Sequence, residues 1–215
     1  MGRAIRTAWR EVRTIFLGLA ILTGVGLATR QRWLAALGGL LWAWVCYFFR
    51  DPDRTPQDSD EAVILAAADG RIQRIEVVEE PRFFQGPARR IVTFLSLLDV
   101  HVQRSPYTGT VQQIHYQPGA FLPAYRPEAD ANEANFIGLS TPRGPLAVVQ
   151  MTGVLARRIV CWRQPGDTLQ RGERFGLIRF GSRVDLYLPL EAEVFVQVGQ
   201  QVYGGQTPVA RWPGS

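Results

Sequence analysis

Beyond residue 61 the chain breaks into short, strand-like runs, and this pattern limits its fold more than any other feature. The runs are AVILAA (62–67), RIQRIEVV (71–78), RIVTFLSLL (90–98), GTVQQIHY (109–116), LAVVQM (146–151), RIVCW (158–162), RFGLIRF (174–180), RVDLYL (183–188) and EVFVQV (193–198). They are rich in Val, Ile, Phe and Tyr and are separated by Gly and Pro, which is how strands ended by turns read. RIQRIEVV and VDLYLP alternate as half-buried strands do. Glu128 to Asn135 has room for one or two helical turns. A mainly β domain is expected.

Two internal echoes refine that expectation. Gly70-Arg-Ile-Gln-Arg-Ile is similar to Gly109-Thr-Val-Gln-Gln-Ile, and Gly166-Asp-Thr-Leu-Gln-Arg-Gly172 to Gly199-Gln-Gln-Val-Tyr-Gly-Gly205. A repeated turn between strands suggests a compact β-sandwich or barrel-like domain with approximate two-fold symmetry, built like lipoyl and biotinyl carriers. Those carriers hold their cofactor on a lysine, and this chain has none, so the echo speaks for architecture and not for carrier function.

All 24 basic residues are arginine. An internal aldimine with pyridoxal phosphate needs a lysine, as does any lysine-based Schiff-base enzyme, and both are excluded. The net charge of +5 fits an anionic partner. No recognition helix, zinc-finger spacing or RNA-binding aromatic segment is present, so nucleic acid is not expected. Cys46 and Cys161 make no disulfide framework, and with only His101 and His115 beside them no metal site is expected.

The N-terminal fifty residues differ in character. Thr14–Thr29 and Trp33–Phe49 carry no charge and are parted by Arg30, Gln31 and Arg32. Each run falls short of the roughly 20 residues that span a bilayer core comfortably. A helical hairpin is expected, spanning or partly embedded. Arg3, Arg6, Arg10 and Arg13 precede it and Arg50 and Arg54 follow, which places both ends in the cytoplasm; the arginines at the turn oppose that mildly. The expected division is residues 1–56, hairpin and linker, and 57–215, the β-rich domain. The expected location is the cytoplasmic face of the cell membrane.

Gly181-Ser182, within RFGSRVDLYLP, interrupts two strand-like runs. A Gly-Ser pair alone marks a turn, but between strands a glycine often marks a bulge or a close backbone approach. A strained peptide there could let the serine hydroxyl attack the preceding carbonyl. The ester formed would undergo β-elimination to dehydroalanine, and hydrolysis would leave an N-terminal pyruvoyl group. Such a ketone forms a Schiff base with a substrate amine and accepts electrons as CO₂ departs, with no lysine needed.

FFRDPDRTP, ADGRI, DVHVQRSP, YQPGAF, NEANF, TGVLARRIV, GDTLQRGERFGLIRFGSRVDLYLP and GQQVYGGQTPVA occur in this order and resemble the short-form phosphatidylserine decarboxylases of bacteria and archaea. The resemblance implies a pyruvoyl-dependent carboxy-lyase that makes phosphatidylethanolamine from phosphatidylserine in the membrane. It implies self-cleavage into a large chain, 1–181, and a small chain, 182–215, held as a heterodimer and compatible with a higher oligomer. Ser182 would become the pyruvoyl and Gly181 would supply the cleaved carbonyl. Asp69 resembles the family's processing acid and His101 its motif histidine, together an activating pair for a poor nucleophile. Arg104, Arg157, Arg158 and Arg183 are candidates for holding the substrate phosphate.

The chain also departs from the family. Ala66-Ala67-Ala68 stands where Ser-Pro usually precedes ADG, and FLSLLDVHVQR replaces a more typical F-M-S-P-x-N-V-H-V-N-R. NEANF lacks a common arginine, and Arg104 occupies the position of the long forms' second histidine. Gly138-Leu-Ser-Thr141 echoes the long forms' cleavage motif superficially, but its Gly and Ser are not adjacent. A membrane-anchored β-sandwich adaptor would share the fold and lack the cleavage.

Overall fold

The computed structural model describes residues 3–154, 158–179 and 181–214. They form two compact units, Met1–Asp51 and Pro52–Ser215.

The first unit is a helical hairpin, α1 (Arg3–Ala28) and α2 (Arg32–Phe48). Arg30 takes the left-handed conformation (φ 57°) that lets the chain reverse between the helices. Large apolar side chains cover its outside, among them Leu17, Leu27, Trp33 and Leu40, each more than 60% exposed. Among the described residues no helix is long and apolar enough to cross a membrane.

The second unit is mainly β. Its strands are β1 (Val63–Leu65), β2 (Gly70–Glu80), β3 (Gly86–Leu95), β4 (Val102–Arg104), β5 (Gly109–Gln117), β6 (Ala134–Thr141), β7 (Gly144–Met151), β8 (Ile159–Cys161), β9 (Thr168–Leu169), β10 (Arg174–Ile178), β11 (Ser182–Leu188), β12 (Glu193–Val194), β13 (Gln201–Val202) and β14 (Pro208–Arg211). Eight of them form one sheet in the order β13-β2-β3-β11-β7-β6-β5-β9, curled into a half-barrel. Two three-stranded sheets, β1-β14-β12 and β4-β10-β8, complete the unit. A 3-10 helix, Pro127–Ala131, stands in the region with room for a helical turn.

The repeats in sequence are repeats in space. Gly70 opens β2 and pairs with Val202 of β13, while Gly109 opens β5 and pairs with Leu169 of β9. The N–H of Gly199 donates to Ile72 O and that of Gly166 to Val111 O, both at 2.8 Å. Gly166, Gly172, Gly199 and Gly205 all have positive φ, between 71° and 93°, a region glycine enters without steric cost. The two ends of the sheet are thus built by the same device.

The strand expected over 193–198 ends at Val194. Phe195 and Val198 are exposed, because the chain must already swing toward the Gly199 turn.

Side chains on β11 alternate between two cores. Val184, Leu186 and Leu188 enter the main core with Ile72, Ile91, Leu95 and Val148. Tyr187 joins Phe136, Val149 and Met151 on the opposite face. Burying each large apolar side chain contributes about 1.5–3 kcal/mol, so β11 is held by packing on both sides as well as by its ladders.

Candidate active site

Ser182 is the first residue of β11 and lies opposite Leu95 of β3. On the other side, pairing with β7 begins only at Arg183, opposite Met151. The Gly181–Ser182 peptide therefore sits at a fork where the neighbouring strands leave the central one. Gly181 has φ 49°, the left-handed region that a side chain would strain. Ser182 is fully buried, and its Oγ has no hydrogen-bond partner among the described residues.

His101 is also buried and meets Gly181 at its backbone N–H, one peptide unit before the Gly181–Ser182 bond. The Gly181 N–H donates to His101 Nε2 at 3.2 Å, and His101 Nδ1 lies 2.9 Å from Asp99 O. A carbonyl accepts only from N–H, so Nδ1 carries the proton and Nε2 presents its lone pair to the peptide. Asp99 is itself fixed: its carboxylate accepts from the Ser96 hydroxyl at 2.6 Å, the Ser96 N–H at 2.8 Å and Gln201 Nε2 at 3.0 Å.

Asp69, at the start of β2, is buried within a different set of partners. Both guanidinium nitrogens of Arg54 reach it, Nη2 to Oδ2 at 2.7 Å, and the Gly204 N–H donates to Oδ1 at 2.9 Å. The symmetry-related turn has Thr108, whose Oγ1 accepts from the Arg171 N–H at 3.2 Å. Asp69 therefore caps its turn as Thr108 caps the other, and adds a charge that Arg54 matches. In the lateral row Arg71–Phe94–Arg183 the start of β2 lies two strands from Ser182, a span of about 10 Å.

The candidate phosphate-binding arginines are placed as follows. Arg104 donates to the carbonyls of Gly172 (3.1 Å) and Pro52 (2.8 Å). Arg183 points to the face opposite Ser182, where its Nε and Nη2 each bond Asp185 at 2.6 Å and its Nη1 lies 2.7 Å from Asp130. Arg158 is exposed, and Arg157 lies outside the described residues. Burial would raise the pKa of Asp130, but Arg183 and Arg90 outweigh it and hold the carboxyl below its usual range. His115 is exposed on β5, and Gly138–Thr141 lies within the continuous β6 ladder.

A cleft of about 390 Å³ opens at Gly181, lined mainly by Phe94, Leu97, Pro123, Tyr125 and Val154. Tyr125 stacks edge-on against Phe94, with ring centroids 6.0 Å apart. The rim is apolar and open: Tyr125 is 56% exposed and Val154 50%.

Residues to which the sequence reading gave no role support this corner. Asn132 is fully buried; its Nδ2 reaches Leu122 O (2.8 Å) and Thr152 O (2.9 Å), and its Oδ1 accepts from the Leu122 N–H at 2.7 Å. It ties the cleft loop to the end of β7. Its place in NEANF was the one available signal. Among the described residues no group of three or more His, Cys, Asp or Glu could hold a metal ion.

A model of the phosphatidylserine decarboxylase family matches residues 41–210. A phosphatidylserine decarboxylase proenzyme of Carboxydothermus hydrogenoformans is 44% identical over 208 residues, covering 96% of this chain and 97% of that protein. The proenzyme of Gluconacetobacter diazotrophicus is 48% identical over 200 residues, covering 90% and 88%. That of Salinibacter ruber is 47% identical over 181 residues, covering 83% and 79%.

Proposed function

The chain belongs to the phosphatidylserine decarboxylase family, and on that premise we propose that it converts phosphatidylserine to phosphatidylethanolamine and CO₂ at residue 182, after cutting itself between Gly181 and Ser182. The observation that carries this reading is the setting of the Gly181–Ser182 bond: Gly181 is left-handed, its N–H is held by the lone pair of His101 Nε2, and the next residue carries a buried hydroxyl with no hydrogen-bond partner among the described residues.

The self-cleavage is an acyl shift followed by an elimination. Ser182 Oγ bonds to the Gly181 carbonyl carbon, the C–N bond breaks, and the hydroxyl proton passes through His101 Nε2 to the released nitrogen. For this, His101 Nε2 gives up the Gly181 N–H and accepts from the Ser182 hydroxyl. Loss of the Ser182 Cα proton then expels the Gly181 carboxylate and leaves a Cα=Cβ double bond. Tautomerisation to the imine and attack by water give the ketone and ammonia. Asp99 O holds the Nδ1 proton throughout, keeping the imidazole in its basic tautomer. Asp69, paired with Arg54, braces the turn at the same end of the sheet.

A pyruvoyl group fits these residues, since residue 182 stands beside an open cleft and its hydroxyl is held by no other partner among the described residues. When present, that group supplies an electrophilic carbonyl for the substrate amine and a sink for the electron pair released with CO₂. Phe94, Leu97, Tyr125 and Val154 give the reacting centre an apolar wall, and His101 holds or returns a proton there. Arg183, clamped by Asp185 and Asp130, keeps the new chain end in register.

The small chain stays with the large one as a heterodimer, because β11 lies between β3 and β7 while β13 and β14 pair with β2 and β1. The apolar exterior of the hairpin and the apolar rim of the cleft both suit the cytoplasmic surface of the cell membrane, where the substrate resides.

Intact-mass analysis of the purified protein tests the reading. A fragment comprising residues 182–215 with a ketone at its N-terminus is expected, together with conversion of phosphatidylserine to phosphatidylethanolamine. A Ser182→Ala chain that is still cleaved, or an uncleaved wild-type chain that is fully active, would overturn it.

A further inference from the structure

The oxygen of the Gly181 carbonyl, the one that self-cleavage would attack, rests against Gly153. A Cβ built on Gly153 would fall within 3.0 Å of Gly181 O, a separation that real Cβ atoms essentially never show, and 3.4 Å from Gly181 C. Ala124 Cβ closes the other side at 3.2 Å. The missing side chain at residue 153 is therefore space that the scissile carbonyl fills.

Gly153 cannot simply back away. Thr152, immediately before it, donates its N–H to Glu133 O at 3.0 Å and its hydroxyl to the same oxygen at 3.2 Å. The carbonyl of Thr152 accepts from the buried Asn132 at 2.9 Å. Asn132 also grips both backbone groups of Leu122, two residues before Ala124. Asn132 thus binds the end of β7 and the cleft loop into one wall behind the carbonyl. With the Gly181 N–H on His101 and the Gly181 oxygen on Gly153, the backbone is held on both sides of the Gly181 Cα.

We infer that Gly153, braced by Asn132 through Thr152, is a positioning residue for self-cleavage: it holds the Gly181 carbonyl in the orientation that exposes its carbon to Ser182 Oγ. This rests on the assignment of the cut to Gly181–Ser182. The role ends with the cut, because the Gly181 carbonyl becomes a free chain end that can move away. A methyl at residue 153 should therefore obstruct maturation and leave the matured site nearly intact.

The test follows cleavage of the full chain made by cell-free synthesis in detergent, reading the 182–215 fragment by intact mass over time. Gly153→Ala is expected to slow cleavage by about tenfold or more, as misplacement of reacting atoms by a fraction of an ångström does. Its matured fraction should turn over phosphatidylserine, per residue-182 ketone, within about twofold of wild type, since that geometry is no longer under the same constraint. Adding Ala124→Gly opens the far side of the contact and should restore part of the cleavage rate. Folded Gly153→Ala that cleaves at the wild-type rate would overturn the inference, as would cleavage and per-ketone turnover falling together. If Gly153→Ala does not accumulate folded, Ala124→Val crowds the same contact without altering Gly153, and unimpaired cleavage by it would equally count against the proposal. Ser182→Ala is run beside them. Cleavage surviving in that chain removes the assignment of the bond, a different failure from that of Gly153.

Discussion

His101 and Gly181, eighty positions apart in sequence, are joined by a 3.2 Å hydrogen bond from the Gly181 N–H to Nε2. The bond sets a basic nitrogen one peptide unit before the proposed cut and leaves the other ring nitrogen on a backbone carbonyl. His101→Ala should slow the appearance of the 182–215 fragment by about 10²-fold or more, the range for loss of a positioned general base. Wild-type kinetics in a time course by intact mass would remove His101 from the cleavage step.

Ser182→Ala should be uncleaved and no less stable than the precursor. The lost oxygen is buried and has no hydrogen-bond partner among the described residues, so its removal relieves an unmet polar group worth about 1–3 kcal/mol. Thermal unfolding of Ser182→Ala against a wild-type precursor captured before cleavage checks this. A large drop in midpoint would mean that the hydroxyl has a structural partner.

Asp69→Asn and Thr108→Ala should separate charge from capping. Both alter a side chain that accepts a backbone N–H at equivalent turns. Only Asp69→Asn strands the buried Arg54 guanidinium, whose side chain is 8% exposed, at a cost of about 3–5 kcal/mol. Asp69→Asn should lower stability and slow cleavage, whereas Thr108→Ala should cost about 1 kcal/mol and leave cleavage unchanged. Equal cleavage rates in the two variants would assign Asp69 a structural part alone.

Asp130→Asn should reveal an acid-sensitive contribution. The folded pKa of Asp130 lies below the ordinary 3.8, so its pairing with Arg183 stabilises the fold fully above that value. The contribution fades as pH falls through the lowered folded value. Because Asp130 is about half exposed, the effect should be on the order of 1 kcal/mol. The gap in melting temperature between wild type and Asp130→Asn should be constant near neutrality and close at the acid end. A gap that does not narrow as the pH falls through that lowered value would point to packing instead of charge.

Tyr125→Asp with Val154→Asp should raise the apparent KM for phosphatidylserine in vesicles by about tenfold, while soluble short-chain phosphatidylserine is affected far less. Both side chains stand on the open rim of the cleft. Equal losses on both substrates would show that the rim acts on the headgroup, and no loss on either would end its role at the membrane.

Much of the fold could be read from residue order because it depends on local rules. Period-two runs such as RVDLYL became strands, and the G-x₅-G echoes became matching turns with positive φ. EVFVQV was misleading, because β propensity over six residues gave way to the tertiary demand for a turn at Gly199. Arg183 and Asp185, two apart on one strand, necessarily share a face, so their pairing was accessible from the alternation. The site was harder. The meeting of His101 with Gly181 depends on where β4 and β11 lie in different sheets, and only family resemblance pointed to both residues. Gly153 and Asn132 carry no reactive group, so neither had a chemical signal to find.

The central place of β11 has a consequence for the life history of the molecule. Before the cut, the eight-stranded sheet forms within one chain, and its folding does not depend on concentration. After the proposed cut the same strand would belong to a separate short polypeptide inserted between β3 and β7. Once melted, the two pieces must find each other in solution, and recovery becomes a second-order process subject to dilution. The mature molecule should therefore persist by the slowness of its unfolding, with no easy way back, much as a spring set during assembly cannot be rewound.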